Sequence, residues 1–447
     1  MAIRIGIWLL CALLPSGILS AGGDPLKEAQ TAFKAQQYEK ALAVIETIKA
    51  DAPDVRRWKA RTLAKLFRGT DALAEYDALT RLSKKDEPAL LREVALSYIV
   101  PMLKDMRVQM RGAGYTALKE IESEETVPYF EGAFTDESGQ VRALAVEGLG
   151  QLEAGRRSPR LEAALHDQAA YVRKYALKAY GKTGDRSKAG VVEPFLEDSE
   201  PVVRVAAAAA LATLNQPTGW ERLAASAKSG NPDERSAALL ALASLKRTAS
   251  FPDFEAAAGD KQPSVRAAVM TGLGELGEKK GVPILVKALH DPIPAVRGSA
   301  VLSLGKLHAT GLTNEITRLL SDKNPGVQAD AVAVLMEFGA PYEAVADTVR
   351  DVLRNKEPSV RSRIARTLSK GQGASLNRAV EGLQELLQDP LPLPRMSASR
   401  VLGHMSLPDG MGMLKEVLHD QDEAVRATAA AALIRVLDGK AGHGEAP

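Results

Sequence analysis

Aspartate and arginine recur six residues apart in Asp136/Arg142, Asp167/Arg173, Asp198/Arg204, Asp260/Arg266, Asp291/Arg297 and Asp420/Arg426. Opposite charges repeated at one interval suit ion pairs that hold a framework, whereas a catalytic pair needs only one copy. Histidine is the usual residue for acid–base or metal chemistry near neutral pH, and six are present. His166, His290 and His419 each stand directly before a repeated aspartate. Three copies of one position are explained by a helix C-terminus, where the dipole favours a cation. His308, His404 and His443 are scattered. The sequence has no His-Glu-x-x-His zinc motif, nucleophile elbow, phosphate-binding loop or Cys-x-x-Cys-His haem site. The residues therefore point to no catalytic group, metal, cofactor or small-molecule substrate, and the reading is non-enzymatic.

The arginines mark a longer period that reveals the elements positioning them. Met110-Arg111, Val141-Arg142, Val172-Arg173, Val203-Arg204, Glu234-Arg235, Val265-Arg266, Val296-Arg297 and Val327-Gln328 follow one another at intervals of 31 residues. The register slips at Val360-Arg361 and Pro394-Arg395 and resumes its 31-residue step at Val425-Arg426. A proline recurs three positions before the arginine, from Pro201 to Pro392, where its fixed φ suits the first turn of a helix. Val at −1, Ala at +3 and Leu at +7 then share one helical face. Gly150, Gly181, Gly274, Gly305 and Gly403 come next, where a missing side chain lets neighbouring helices approach. The pattern predicts a helix–turn–helix unit in which the aspartate ends one helix and turns the chain into the next.

These anchors resemble the HEAT-repeat family, specifically the short HEAT-like variety also found in phycobilisome lyase subunits. The resemblance covers residues 86–437 in about eleven units. It implies an all-α fold, a right-handed α-solenoid (superhelix) of stacked antiparallel helix pairs. It also implies that aspartate and arginine of one unit bridge its turn, as Asp136 with Arg142 and Asp291 with Arg297, with Gln328 weakening the ladder. Residues 24–85 differ. Tyr38-Glu39-Lys40-Ala41-Leu42, with Pro53 beyond it, resembles a tetratricopeptide repeat, and Ala72-Leu73 and Tyr76 resemble a degenerate second copy.

Residues 1–22 read as a secretory signal: Arg4 precedes an apolar run over residues 5–14, and small residues follow at Ser20-Ala21-Gly22. The single cysteine, Cys11, falls within it. A periplasmic or extracellular location, in a bacterium, is expected. No later segment is apolar enough to span a membrane. The formal net charge is +2, and loss of Arg4 with the leader lowers it by one. That balance lacks the basic excess that bulk nucleic-acid binding needs. Residues 438–447 read as a disordered tail.

A solenoid's extended surface suits a protein partner. In HEAT-type solenoids the second helices line the concave side, and here their outward positions fall at +2, +5 and +9 from the arginine. Those positions are small or apolar at Ala206, Ala209, Ala237, Leu240, Ala268 and Leu302. They become basic at Arg363, Arg366, Lys370, Arg400, His404 and Arg435. Tyr175 and Lys178 form a third candidate contact, beside Tyr171 and Lys174, in a chain with only 4% aromatic residues. The reading is a scaffold or adaptor in the cell envelope. Its alternative is a HEAT-like enzyme of the bilin lyase or oxidoreductase type. One such enzyme type, deoxyhypusine hydroxylase, holds iron with His-Glu pairs, and the sequence contains no His-Glu dipeptide.

Overall fold

The computed structural model describes residues 24–370 and 373–440, and all regular structure among them is helical. The expected leader and residues 441–447 of the expected tail lie outside the described residues, as does His443.

Each repeat is a short first helix, often tightening into a 3₁₀ turn, followed by a longer second helix. The eleven second helices begin with Val108–Ile121 and end with Pro392–His404 and Glu423–Leu437. Prolines 201, 232, 263, 294, 325, 358 and 392 each open one of them. The repeated aspartate makes the turn. Asp136 Oδ1 accepts from Ser138 N at 2.8 Å, and Asp167 and Asp260 repeat the geometry with Ala169 N and Gln262 N. A side-chain oxygen that takes the N–H two residues on holds the backbone in a tight turn without a helical hydrogen bond.

The expected core is the observed one. Val141, Val203, Val265 and Val296 at −1, Ala145, Ala207 and Ala300 at +3, and Leu149, Leu211 and Leu304 at +7 are all fully buried. Second helices stack side by side through the small-residue ridges. A Cβ on Gly150 would stand 2.7 Å from Ala179 Cβ, and one on Gly403 would stand 2.7 Å from Ala432 Cα. Gly403→Leu must therefore separate the last two second helices. A loss of about 3 kcal/mol is expected, at the upper end for an overpacked core. Urea unfolding of the variant against Gly412→Leu, where a Cβ meets nothing within 4 Å, checks this.

The array does not end in two exposed faces, as an open superhelix would. Glu423–Leu437 packs against both Pro88–Ile99 and Val108–Ile121, helices of the first unit, so the repeats close on themselves. Eleven units need a mean rotation of only about 33° each to complete a circle, a modest per-repeat rotation for a solenoid. No single repeat encodes that closure, which is why the period alone did not reveal it. The N-terminal helices Pro25–Lys34, Tyr38–Glu46, Pro53–Lys65 and Gly69–Ser83 form two antiparallel pairs. They stack on Pro88–Ile99 and brace the last unit, with Lys415 Nζ 3.6 Å from Asp86 and His419 Nε2 3.2 Å from Asp77.

Candidate functional site: the inner face of the ring

The ladder is built differently from the expected pairing within one unit. Arg142 donates through Nη1 to the main-chain oxygen of Asp136 at 2.8 Å. Its Nε and Nη2 reach forward to Asp167 Oδ2 and Oδ1 of the next unit, at 2.7 and 2.8 Å. Arg173 treats Asp167 and Asp198 alike, Arg266 does so with Asp260 and Asp291, and Arg297 with Asp291 and Asp322. The reason is geometric. Each aspartate is turned by its own capping bond, which leaves its carbonyl facing its own arginine and its carboxylate facing the preceding one. Each guanidinium thus ties its own turn to its neighbour's through a bidentate fork.

The exceptions follow the sequence. Ser229 replaces the aspartate after Asp198, and Arg204 turns to Glu234 at 3.0 Å. Gln328 keeps only the carbonyl bond, to Asp322 O at 2.7 Å. Arg426 holds Asp420 O at 2.7 Å, but its forward position is the closure seam. There it lies 5.9 Å from the Tyr98 ring, and its Nε is buried without a hydrogen-bond partner.

Arg266 holds the Asp291 carboxyl below the ordinary aspartate range, aided by the Ile293 N–H. At Asp167 desolvation pushes the other way, yet Arg142 and the Ala169 N–H outweigh it. A carboxyl depressed in the folded state stabilises above its unfolded pKa and loses that contribution as pH falls. The ladder's contribution should therefore be intact down to about pH 4, and thermal melts should drop steeply below it. A melting temperature that stays level through pH 3 would contradict the ladder's role.

With the ladder at one edge, the +2, +5 and +9 positions face the inside of the ring. A cavity of 1080 Å³ runs along this lining between Lys246 and Val401, and includes Leu302, Arg363, Arg366, Lys370 and Arg400. The candidate residues divide into three groups. Arg363, Arg366 and Lys370 line the cavity. Arg363 grips Asp330 through Nε and Nη2 at 2.8 and 2.6 Å, and Lys370 lies 4.0 Å from Glu337. Arg400, His404 and Arg435 belong largely to the seam. Arg400 Nε donates to Glu120 Oε1 at 2.9 Å, and His404 Nε2 stands 3.7 Å from the same carboxylate. Arg435, only 2% exposed, donates to Glu120 O and sits 3.0 Å from Glu122 Oε2. His404 and Arg435 are therefore structural, because closure brings the first unit over them. Tyr175 and Lys178 sit apart on Ala170–Lys182, with the Lys174 ammonium 5.3 Å from the Tyr175 ring.

The apolar candidates Ala206, Ala209, Ala237 and Leu302 are half-buried and Leu240 is exposed, but Ala268 is buried within Pro263–Leu276. Sequence reasoning missed Glu120 and Asp330. Both occupy outward positions of the repeat, and an acid among small or basic residues at that register was the available signal. Asp330 is 4% exposed, and burial pushes its carboxyl up to about 6 despite Arg363 and Arg366. His166 and His290 are exposed at the ends of their first helices, as the repeat position implied. Among the described residues no three His, Cys, Asp or Glu side chains converge as metal ligands would, and no helix is long and apolar enough to cross a membrane.

Solved structures with partial likeness include YibA of E. coli, at 17% identity over 59% of this chain and 97% of that one, TM-score 0.38. Human deoxyhypusine hydroxylase in complex with glycerol is 18% identical over 57% of this chain and 98% of that one, TM-score 0.28. The complex of CpcE and CpcF of phycocyanin lyase from Nostoc sp. PCC7120 is 21% identical over 59% and 95%, TM-score 0.32. No curated protein sequence matches the chain. The HEAT-repeat family model matches residues 158–243, 251–313, 282–369 and 312–399, together more than half of the chain. With its 31-residue units and closed stack of helix pairs, this chain belongs to the HEAT-repeat family.

Proposed function

We propose that the protein is a non-enzymatic interaction scaffold that receives a protein partner on the inner face of its ring. The observation that carries this reading is the division of labour among its charges. The Asp–Arg ladder joins units, while away from the seam the +2, +5 and +9 rows line a shared cavity between Lys246 and Val401. Such a lining offers extended contact without a reaction centre. The leader-like residues 1–22 support reading the scaffold as exported, in the cell envelope. Site-specific photo-crosslinkers in the native cell test the proposal. Crosslinks to a protein from Leu302 on the lining, with none from exposed Val191 on an outer helix, are expected. Crosslinks from Val191 alone would refute the inner-face assignment. A bound metal or chromophore in the purified protein, with turnover, would refute the non-enzymatic one.

A further inference from the structure

Ala170–Lys182 carries Lys174, Lys178 and Lys182 one turn apart. Like charges at this spacing repel one another. Elsewhere on the inner face cations are matched, as Arg363 is by Asp330, Lys306 by Glu275 and Lys119 by Glu147. These three lysines are not. Among the described residues no carboxylate pairs with them, and Glu147, the acid whose charge acts on Lys174 and Lys182, is already bound to Lys119. Desolvation, and then the Lys178 charge, holds both Lys174 and Lys182 below the usual lysine range. The Lys174 ammonium lies over Tyr171 and Tyr175, at 5.7 and 5.3 Å from the ring centres. Aromatic faces attract the cation but do not neutralise it.

The adjoining second helices, Pro201–Thr213 and Pro232–Ser244, present the opposite character on the same side. Ala206, Ala209 and Ala237 are half-buried and Leu240 is 40% exposed, large for an apolar side chain. A strip of unmatched lysines beside an apolar strip is complementary to a helix with acids on one flank and apolar residues on the other. The dimensions allow it. Eleven helices packed about 9 Å apart enclose a lumen about 20 Å across, and a helix with its side chains needs about 10–12 Å. A bare polyanion would satisfy the lysines but leave the apolar strip without a use.

We propose that the partner inserts an acidic amphipathic α-helix into the lumen. Its carboxylates meet Lys174, Lys178 and Lys182, and its apolar stripe lies on Leu240 and the alanines between. This deepens, and rests on, the reading of the inner face as the binding surface. The test uses the full chain and a fluorescent synthetic helix with glutamates on one face and leucines on the other, followed by anisotropy. Saturable binding is expected, weakened at least roughly tenfold by Lys174→Glu/Lys178→Glu/Lys182→Glu and separately by Leu240→Asp. Circular dichroism and melting of each variant guard against misfolding, and Lys178→Ala, with a smaller loss, supplies a mild check. Equal affinity of the wild type and the triple variant overturns the proposal. So does tighter binding of inorganic polyphosphate or single-stranded DNA than of the helix. Photo-crosslinkers at Leu240 and, on another part of the lumen wall, at Lys306 separate the two claims. Protein crosslinks at Lys306 alone leave the scaffold reading standing and remove this one. Crosslinks at neither position sink both.

Discussion

Glu120→Lys is expected to open the ring while leaving its repeats folded. Glu120 is the acid at the centre of the seam, mostly withdrawn from water, accepting from Arg400 Nε at 2.9 Å and lying 3.7 Å from His404 Nε2. Its own main-chain oxygen takes Arg435 Nη1 at 3.0 Å. Desolvation opposes its charge, yet His404 and Arg400 overcome that and hold its carboxyl below the ordinary glutamate range. A lysine there would place an ammonium against the Arg400 guanidinium and the His404 ring in a site with little water. Stranding a buried charge costs about 3–5 kcal/mol.

The other seam contacts are weaker counterweights. Arg92 and Asp438 meet at 2.7 Å and Arg107 and Glu423 at 2.6 Å, but these lie at the surface, where such pairs contribute little. Lys440 Nζ caps the last carbonyls of Val108–Ile121, reaching Ile121 O and Glu122 O at 2.8 Å. Imperfect satisfaction is also found here, because His404 Nε2 and Arg426 Nε are buried without a hydrogen-bond partner. Most interfaces elsewhere keep an Asp–Arg fork, and the two that lack it carry Arg204–Glu234 or Asp330–Arg363 in its place, so the seam is the interface expected to give way first. Small-angle scattering should register a larger radius of gyration and loss of the hollow-ring signature, while far-ultraviolet circular dichroism stays unchanged. An unchanged radius in Glu120→Lys would mean that apolar packing alone holds the closure.

Arg363→Ala is expected to destabilise far more than Asp330→Asn, although both break the same pair. Gln328 and Asn355 stand where the ladder would have its arginine and the following aspartate, so the junction between the eighth and ninth units lacks the usual fork. Asp330 and Arg363 supply one instead, two residues further along each helix and on the lumen side. Gly298 and Gly326 leave the room it needs, since a Cβ on Gly298 would stand 2.5 Å from Asp330 Oδ2. The pair is lopsided: the Arg363 side chain is 49% exposed and that of Asp330 only 5%. Without the carboxylate, the guanidinium can turn to solvent. Without the guanidinium, a buried carboxylate is left facing mainly the more distant Arg366, a loss of about 3 kcal/mol.

The pH dependence has the opposite sign to the ladder's. Asp330 titrates at about 6 in the fold, against about 3.9 in an unfolded chain. Its protonated form is favoured by folding, so its contribution is complete below about 4 and is lost as pH rises through about 6. Arg363→Ala should push that loss to higher pH, whereas Asp330→Asn should flatten the stability profile between about pH 4 and 6. Urea midpoints across this range check both. Equal losses for the two variants at neutral pH would contradict the asymmetry.

Much of this molecule follows from the period alone. Proline at the first helical turn, aspartate six before the arginine, and Val, Ala and Leu at −1, +3 and +7 act within one repeat or between adjacent ones. Short-range geometry is enough to make them turn, core and ladder, and most of them occupy those roles, with Val360 only half-buried and Arg204 turned to Glu234. The inner positions were legible for the same reason, as every second helix presents the same face.

Three things were decided only by the tertiary structure. The carboxylate that each guanidinium grips depends on how units stack, and it proved to be the next unit's, 25 residues on. The roles of Arg400, His404 and Arg435 depend on closure, since identical inner positions become seam when another unit lies across them. Closure itself is the sum of many small rotations. Each repeat contributes a few tens of degrees from side-chain volumes at its interfaces, and a sum of that kind is written in no one segment of the chain.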